Sequence, residues 1–436
     1  MRLGRLQLRM SECVHVRRRP SGSAVCIIVE NLPVPLDRRV WQEARALSDA
    51  GYHVSVISPK GPGFAGSYEI LDGIEVYRHH HWESNGTVLG YVLEYGLGLI
   101  VETLLASLVY SRTRFRILQA CNPPDTIFLI ALFFKLFGVR FIFDFHDPNP
   151  ELYAVKFPHN GFLYWLVCFA ERWSFRTANV VIATNSSGRE IAIGRGHVSP
   201  NRAFVVQTCP ELNEVRPELR QPELREGRKY VVVYVGVMGP QDGVDLLLES
   251  IDCLVNEHNR RDTLFVLIGP GSELPRLKAS SAARNLDSWV RFTGPLYGDD
   301  LRAYLATADV GVAPDPANAL NDKLTMIKIF EYMAYGLPVV LYDLIEGRRS
   351  AGNAALYAKG NDPADFARQV STMLDSESLR RHLGLIGRKK ITERLNWGTE
   401  KSTLLTAYRT ALLGEQASSC HEECSGAQGA ERTPDL

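Results

Sequence analysis

Three of the four charged side chains in the stretch NDKLTMIKIFEYMAYGLPVV, residues 321–340, are the candidates: Lys323, Lys328 and Glu331. They fall near the start of an expected helix, where unpaired backbone N–H groups and the helix dipole favour an anion. A phosphate fits there, and a carboxylate farther along can accept hydrogen bonds from ribose hydroxyls. Lys328 and Glu331 are three apart and share a helix face, so a solvated ion pair is the competing reading. A second candidate is His146-Asp147, just beyond the strand FIFDF (141–145). Ligands of open α/β sheets bind at that edge, although a lone histidine is more often structural. The third is the loop VGVMGPQDGVD, with Gly236, Gly239, Gln241 and Gly243, joined by Gly271 at the end of the next strand. A glycine-rich loop between strand and helix lets backbone N–H groups approach an anion, but such loops also occur as plain turns.

The elements that must position these residues are legible. Leu324, Ile327, Phe330 and Met333–Ala334 recur at helical spacing and predict one inward face. Gly336 ends that helix, and Pro338 leads into the strand Val339–Leu341. The chain opens the same way: the strand AVCIIVE (24–30), a loop, the helix VWQEARALSDAG and the strand HVSVIS (53–58). Arg38 or Arg39 at that helix start faces either the cleft or solvent. No G-x-G-x-x-G follows the first strand, which argues against a dinucleotide oxidoreductase. Asp147, Pro148 and Pro150 predict a turn. The expected fold is α/β, with two Rossmann-like domains facing a cleft and a last helix crossing back onto the first. The divisions are a basic tail (1–23), an N-terminal acceptor domain (24–210), a linker (211–228), a donor domain (229–395), the crossover helix (396–414) and a polar disordered tail (415–436).

The 436 residues suit two domains, and 45% hydrophobic with 22% charged content is ordinary for a globular protein. With 49 residues of each sign the net charge is zero, so no basic field for nucleic acid is present. The eight cysteines lack paired C-x-x-C knuckles and suit reduced thiols in a cytosol. The first twenty residues are arginine-rich without an apolar stretch: a disordered or misassigned start, or a basic arm on anionic lipid. No spanning helix is expected, because Glu94 and Glu102 interrupt the nearest candidate, Val88 to Tyr110. Residues 161–178 form an aromatic helix. It is either a core helix or an interfacial one with Phe162, Trp165 and Trp173 at a membrane surface.

At EYMAYGLPVV the chain resembles the family-four retaining glycosyltransferases of GT-B fold, and the resemblance runs from about Val25 to about Leu413. It implies that Glu331 is the second glutamate of the family's pair, eight positions after the first, and contacts the donor nucleotide. Lys323 stands where the first glutamate is usual. The family's loop carries an arginine and a lysine that hold the pyrophosphate, and here Val237 and Asp242 occupy those positions. The resemblance also implies that His146 contacts the donor sugar from across the cleft.

The expectation is therefore a metal-independent retaining glycosyltransferase, since no Asp-x-Asp pair occurs in the chain. Its partners would be a nucleoside-diphosphate sugar, which is a substrate, and a glycan or lipid-linked acceptor. No cofactor or metal is expected. His146 and Glu331 carry the catalytic roles. Lys323, Lys328, Gly236, Gly239, Gln241, Gly243 and Gly271 hold the donor, and Arg38 and Asp147 lie on the acceptor side. The expected location is cytoplasmic, with peripheral contact at the inner face of the plasma membrane left open. A nucleotide-sugar epimerase of the same fold and a non-catalytic binding protein remain the alternatives.

Overall fold

The computed structural model describes residues 23–61, 63–80, 88–157 and 161–414. The expectations for the two tails lie outside the described residues. Eight strands make the first sheet: β1 (Ala24–Ile28), β2 (His53–Pro59), β3 (Tyr68–Leu71), β4 (Ile74–His79), β5 (Ile117–Cys121), β6 (Arg140–Phe145), β7 (Val180–Ala183) and β8 (Ala203–Val205). Their spatial order is β3-β4-β2-β1-β5-β6-β7-β8, parallel except for the β3–β4 pair. Strands such as AVCII, ILQAC and VVIA are buried along their whole length, as parallel strands covered on both faces must be. Helices α1 (Arg38–Asp49), α2 (Val88–Thr113), α3 (Phe128–Lys135), α4 (Asn149–Lys156), α5 (Phe162–Thr177) and α6 (Ser186–Gly194) complete this half.

Two expectations change here. The turn predicted after His146 is followed at once by helix α4. Pro150 lies in its first turn, where proline's missing N–H is not needed. Helix α2 contains a stretch, Leu93–Thr113, long and apolar enough to cross a membrane by length and composition, contrary to the reading that the glutamates preclude one. One side of it is built into the fold: Glu102, Ala106 and Val109 are fully buried against the sheet.

The second sheet holds β9 (Tyr230–Val235), β10 (Thr263–Ile268), β11 (Val290–Gly294), β12 (Val310–Ala313), β13 (Val339–Tyr342) and β14 (Ala355–Ala358). All are parallel, in the order β11-β10-β9-β12-β13-β14. Around them lie α7 (Val244–Asp252), α8 (Leu274–Ala283), α9 (Gly298–Thr307), α10 (Ile327–Ala334), α11 (Ile345–Ala351), α12 (Pro363–Asp375) and α13 (Glu377–Glu393). Between the sheets, residues 212–225 form three short 3-10 turns. They are docked, not loose: the Gln221 N–H donates to Thr307 Oγ1 at 2.9 Å, and Arg225 pairs with Asp309 at 2.9 Å.

The last helix, α14 (Trp397–Leu413), crosses back as expected. Trp397, Leu404, Ala407, Tyr408 and Ala411 join the core beneath β6, β7 and β8, beside α1, and the Tyr408 hydroxyl donates to Gln119 on β5.

Candidate functional site

Helix α10 begins later than the spacing suggested. Residues Asn321–Lys323 form a 3-10 turn and Leu324 is extended, so Leu324 is not on the helix face at all. The face is rotated accordingly: Ile327 is 39% exposed, while Lys328 is buried with Ile329, Phe330, Tyr332 and Met333. Lys328 and Glu331 therefore do not pair. Lys328 Nζ donates to both carboxylate oxygens of Asp315, at 2.8 and 3.1 Å, and lies 4.8 Å from the centre of the Tyr234 ring. Burial acts against its charge, but Asp315 outweighs it, and the lysine pKa is raised.

The glycine-rich loop lies directly on this lysine. A Cβ at Gly236 would stand 3.0 Å from the Tyr234 hydroxyl and 3.3 Å from Lys328 Cε. Gly243 opens α7 at φ +67°, and a Cβ there would sit 2.1 Å from the Pro314 carbonyl oxygen, so a side chain is excluded twice over. A Cβ on Gly271 would be 2.2 Å from the Met238 carbonyl oxygen. Asn321 ties this group to the turn before α10 by donating to the carbonyls of Pro316, at 2.9 Å, and Gln241, at 3.2 Å. Gly236, Gly239, Gln241, Gly243, Gly271 and Lys328 thus form one cluster at the carboxyl ends of β9, β10 and β12. Several loop N–H groups are already spent: Gly236 on Ile268, Met238 on Pro270, and Gly239 on the Asp242 carboxylate at 2.8 Å. Burial raises the Asp242 pKa, with Lys328 and the Gly239 N–H opposing it.

Lys323 and Glu331 face the other domain. Glu331 Oε1 accepts from Arg38 Nη1 at 2.5 Å, and Lys323 Nζ donates to Glu151 Oε1 on α4 at 2.6 Å. Asn185 donates to the Lys323 carbonyl at 2.8 Å, Ser187 Oγ donates to Glu346 at 2.7 Å, and Arg349 pairs with Glu190 at 2.9 Å. The cleft is thus bridged along its length. Of the two arginines left open by the sequence, Arg38 reaches across the cleft and Arg39 turns inward. Asp37 caps α1 by accepting from the Val40 N–H at 3.0 Å, which holds both in place.

Arg39 is the centre of a buried ionic network. Its guanidinium meets Asp144 at 2.6 Å, Glu43 at 3.2 Å and the Val206 carbonyl at 2.5 Å. His146 Nε2 lies 2.8 Å from the same Asp144 and 3.1 Å from Arg39 Nε. Burial alone would raise the Asp144 pKa, but Arg39 and His146 hold it well below the usual carboxylate range. Asp144 in turn raises His146 against the effect of burial, while Glu43 is pushed up to about 7 by burial. His146 is therefore anchored through Nε2, and Nδ1 has no hydrogen-bond partner among the described residues. Asn122 orients the segment by accepting from the His146 N–H at 2.6 Å and the Asp147 N–H at 3.3 Å, and by donating to the Asp147 carbonyl at 2.7 Å. Cys121, Asp144 and His146 offer three donor atoms within 4.8 Å of one another. The set does not fit a metal ion, because the Arg39 cation already sits on Asp144 and the Cys121 thiol is raised well above its ordinary value by burial.

The sequence pattern singled out Arg39 and His146 but gave no role to Asp315, Glu151 or Asn122, nor to the Asp144 and Glu43 carboxylates that bind Arg39. One signal was available: an aspartate inside FIFDF must be buried, and a buried carboxylate requires a partner.

A family model described as "Glycosyl transferase 4-like domain" matches residues 36–209, and one described as "Glycosyl transferases group 1" matches residues 229–376. Sulfoquinovosyl transferase SQD2 of Arabidopsis thaliana is 25% identical over 299 residues, 64% of this chain and 54% of that protein. A D-inositol 3-phosphate glycosyltransferase of Salinispora arenicola is 31% identical over 268 residues, 55% of this chain and 57% of the relative. The chain thus spans a little over half the length of each. The solved structure of Anabaena Alr3699/HepE in complex with UDP and glucose superimposes with a TM-score of 0.69 at 15% identity, covering 89% of this chain and 100% of that one. The two family matches fall one on each sheet, and the chain belongs to the family-four glycosyltransferases of GT-B fold.

Proposed function

We propose that the chain is a retaining glycosyltransferase that moves a sugar from a nucleoside diphosphate to an acceptor hydroxyl of a lipid-linked or cell-surface glycan. The observation that carries this reading is the buried Lys328 beneath the loop Gly236–Gly243, beside Gly271, in the half matched to the group 1 transferases. The description of the Anabaena protein with UDP and glucose supports a uridine diphosphate donor.

In this reading the diphosphate approaches Lys328 and shares its ammonium with Asp315, and positive charge there stabilises the departing diphosphate. Glu331 turns from Arg38 to the ribose as the donor enters, and Lys323 leaves Glu151 for the phosphates. His146, steadied by Asp144, presents its free edge to the sugar hydroxyls, and Asp147 lies on the acceptor side. Entry of the donor requires the cross-cleft pairs Arg38–Glu331 and Lys323–Glu151 to open, so donor binding is coupled to domain motion. No metal ion and no cofactor enters this scheme. The exposed apolar faces of α2, α3 and α5 support peripheral contact with the inner face of the plasma membrane.

A second reading, a nucleotide-binding protein without turnover, is favoured by the carboxylates that saturate both lysines. Thermal shift across nucleoside diphosphates, followed by turnover with the matching sugar donors in EDTA, separates the two. A donor-dependent rise in melting temperature with transfer in EDTA supports the transferase. Binding without transfer across donors and acceptors supports the second reading, and activity that returns only with added Mg²⁺ or Mn²⁺ removes the metal-free scheme.

A further inference from the structure

The N-terminal half contains an apolar cavity of about 350 Å³ that takes no part in the donor site. Its walls come from three helices: Tyr95 and Leu99 on α2, Leu152 on α4, and Leu163, Leu166 and Val167 on α5. This is the lower size range of small-molecule sites, which are mostly apolar with a few placed polar groups. The carboxylate and the amide of its lining, Asp125 and Asn149, sit together at one end, joined by a hydrogen bond, and the other polar side chains are the hydroxyl-bearing Thr126, Tyr95 and Tyr153.

That end connects to the cleft. Asn149 Nδ2 donates to Asp125 Oδ2 at 2.7 Å, and Asp125 Oδ1 accepts from Asn122 Nδ2 at 2.9 Å. Asn122 is the side chain that holds the backbone of His146 and Asp147. The same short helix, α4, sends Leu152 into the cavity and Glu151 to Lys323 across the cleft. The other end opens onto apolar surface. Leu166 both lines the cavity and is 38% exposed, and around it Leu93, Leu97, Ile100 and Leu104 on α2 and Phe162, Trp165, Phe169 and Trp173 on α5 are all exposed. The aromatic rings of α5 form a continuous row, with centroids 5.4 to 5.9 Å apart. Apolar surface of this extent marks a lipid or partner site.

We infer that this cavity takes the aliphatic chain of an amphiphilic acceptor, with the hydroxyl-bearing head at Asp125–Asn149 and the chain leaving toward the α2–α5 face. The role as acceptor site rests on the proposed transferase function; the binding of an aliphatic chain does not. The occupant is a single acyl or isoprenoid chain with an uncharged head, because the lining is mainly aliphatic and aromatic, carries no cation for an anionic head, and keeps its one carboxylate and one amide together. An apolar peptide segment is the competing occupant.

The closing experiment uses the full chain and displaces the neutral methyl ester of cis-parinaric acid, followed by its fluorescence, with n-alkanols from octanol to hexadecanol. Each added methylene should tighten binding about fourfold while it is taken from water, then stop doing so once the cavity is filled. Gly96 lies on the cavity wall, and a Cβ there meets nothing within 4 Å, so Gly96→Phe should fill the space without disturbing α2. Gly96→Phe, and Val167→Trp from the opposite wall, should each weaken alkanol binding at least tenfold. The thermal shift given by UDP should be the same in both variants as in the parent chain. Affinity that climbs without a plateau, or is equal in both variants and the parent, overturns the inference. Displacement by an apolar peptide but by no alkanol overturns it as well. A plateau without any UDP shift upholds the chain site and removes the transferase reading alone.

Discussion

The two halves of the molecule place charge and oil in opposite ways. The C-terminal half is conventional: apolar clusters on both faces of its sheet, and most ion pairs, such as Arg276–Glu273 and Arg348–Asp343, outside. The N-terminal half buries Arg39, Glu43, Glu102, Asp125, Asp144 and Glu171, and exposes rows of Leu, Phe and Trp on α2, α3 and α5. Buried charges are costly even when paired, so this arrangement contributes little stability for its size. The contrast teaches that one sheet architecture can be finished in two ways. The C-terminal half sets one buried lysine under a glycine loop, while the N-terminal half combines a polar edge at His146 with an oily exterior.

The sharpest way to break the comparison is Arg39→Ala. It leaves Asp144 and Glu43 buried without their cation, and should cost about 3–5 kcal/mol in urea unfolding, read by hydrogen exchange in β5 and β6. A loss no larger than that of an exposed arginine would mean that the network is not what holds this half together.

Lys328→Ala tests the other half. It should weaken UDP binding at least tenfold by calorimetry, because a charge-assisted contact is worth about 1.5–3 kcal/mol. Unchanged affinity at low salt would take Lys328 out of the donor site. Restoring the family's loop by Val237→Arg has room, since Val237 is exposed. Asp242→Lys would instead remove the acceptor of the Gly239 N–H, so the single Arg variant should recover more binding than the double.

The response to pH should also divide the halves. Burial pushes Glu30 up to about 8, Asp125 to about 7 and Glu171 to about 8. Carboxyls raised on folding stabilise fully below their unfolded values and lose that contribution as pH rises through the folded ones. His146, also raised, acts in the same direction. Stability of the N-terminal half should fall steadily between pH 6 and pH 8, while exchange in β9 and β12 changes little. An equal loss in both halves would contradict the assignment. The smallest effect is expected from Lys323→Ala. Its pair with Glu151 is partly exposed and worth about 1 kcal/mol or less. Small-angle scattering should report a slightly wider cleft, and a donor constant raised as much as by Lys328→Ala would reverse the ranking of the two lysines.

How much of this was legible follows from what local pattern can encode. Continuous apolar runs announced the buried strands, and Gly336 with Pro338 announced the end of α10, because each acts through its own backbone. The rotation of α10 was hidden: Lys328 points inward because Asp315, thirteen residues earlier, waits there, and period-3.6 counting assigns a lysine to solvent. The choice between Arg38 and Arg39 was likewise undecidable from neighbours, since their partners Glu331 and Asp144 lie in distant segments. The cavity between α2, α4 and α5 had no signal beyond greasy helices, which look the same whether they line a hole or fill one.

The crossover of α14 has a consequence for how the protein is made. Five of its residues wall the core under β6, β7 and β8, so the first half to leave the ribosome is the last to be completed. About 190 residues separate Val205 from Trp397, which is about 10–40 s of translation. During that interval Ile142, Val180 and Ile182 lack their final cover, in the same half as helices whose outer faces stay oily even in the finished molecule. The nascent chain therefore passes through a long sticky stage, and a chaperone or an early landing on a lipid surface would shorten it.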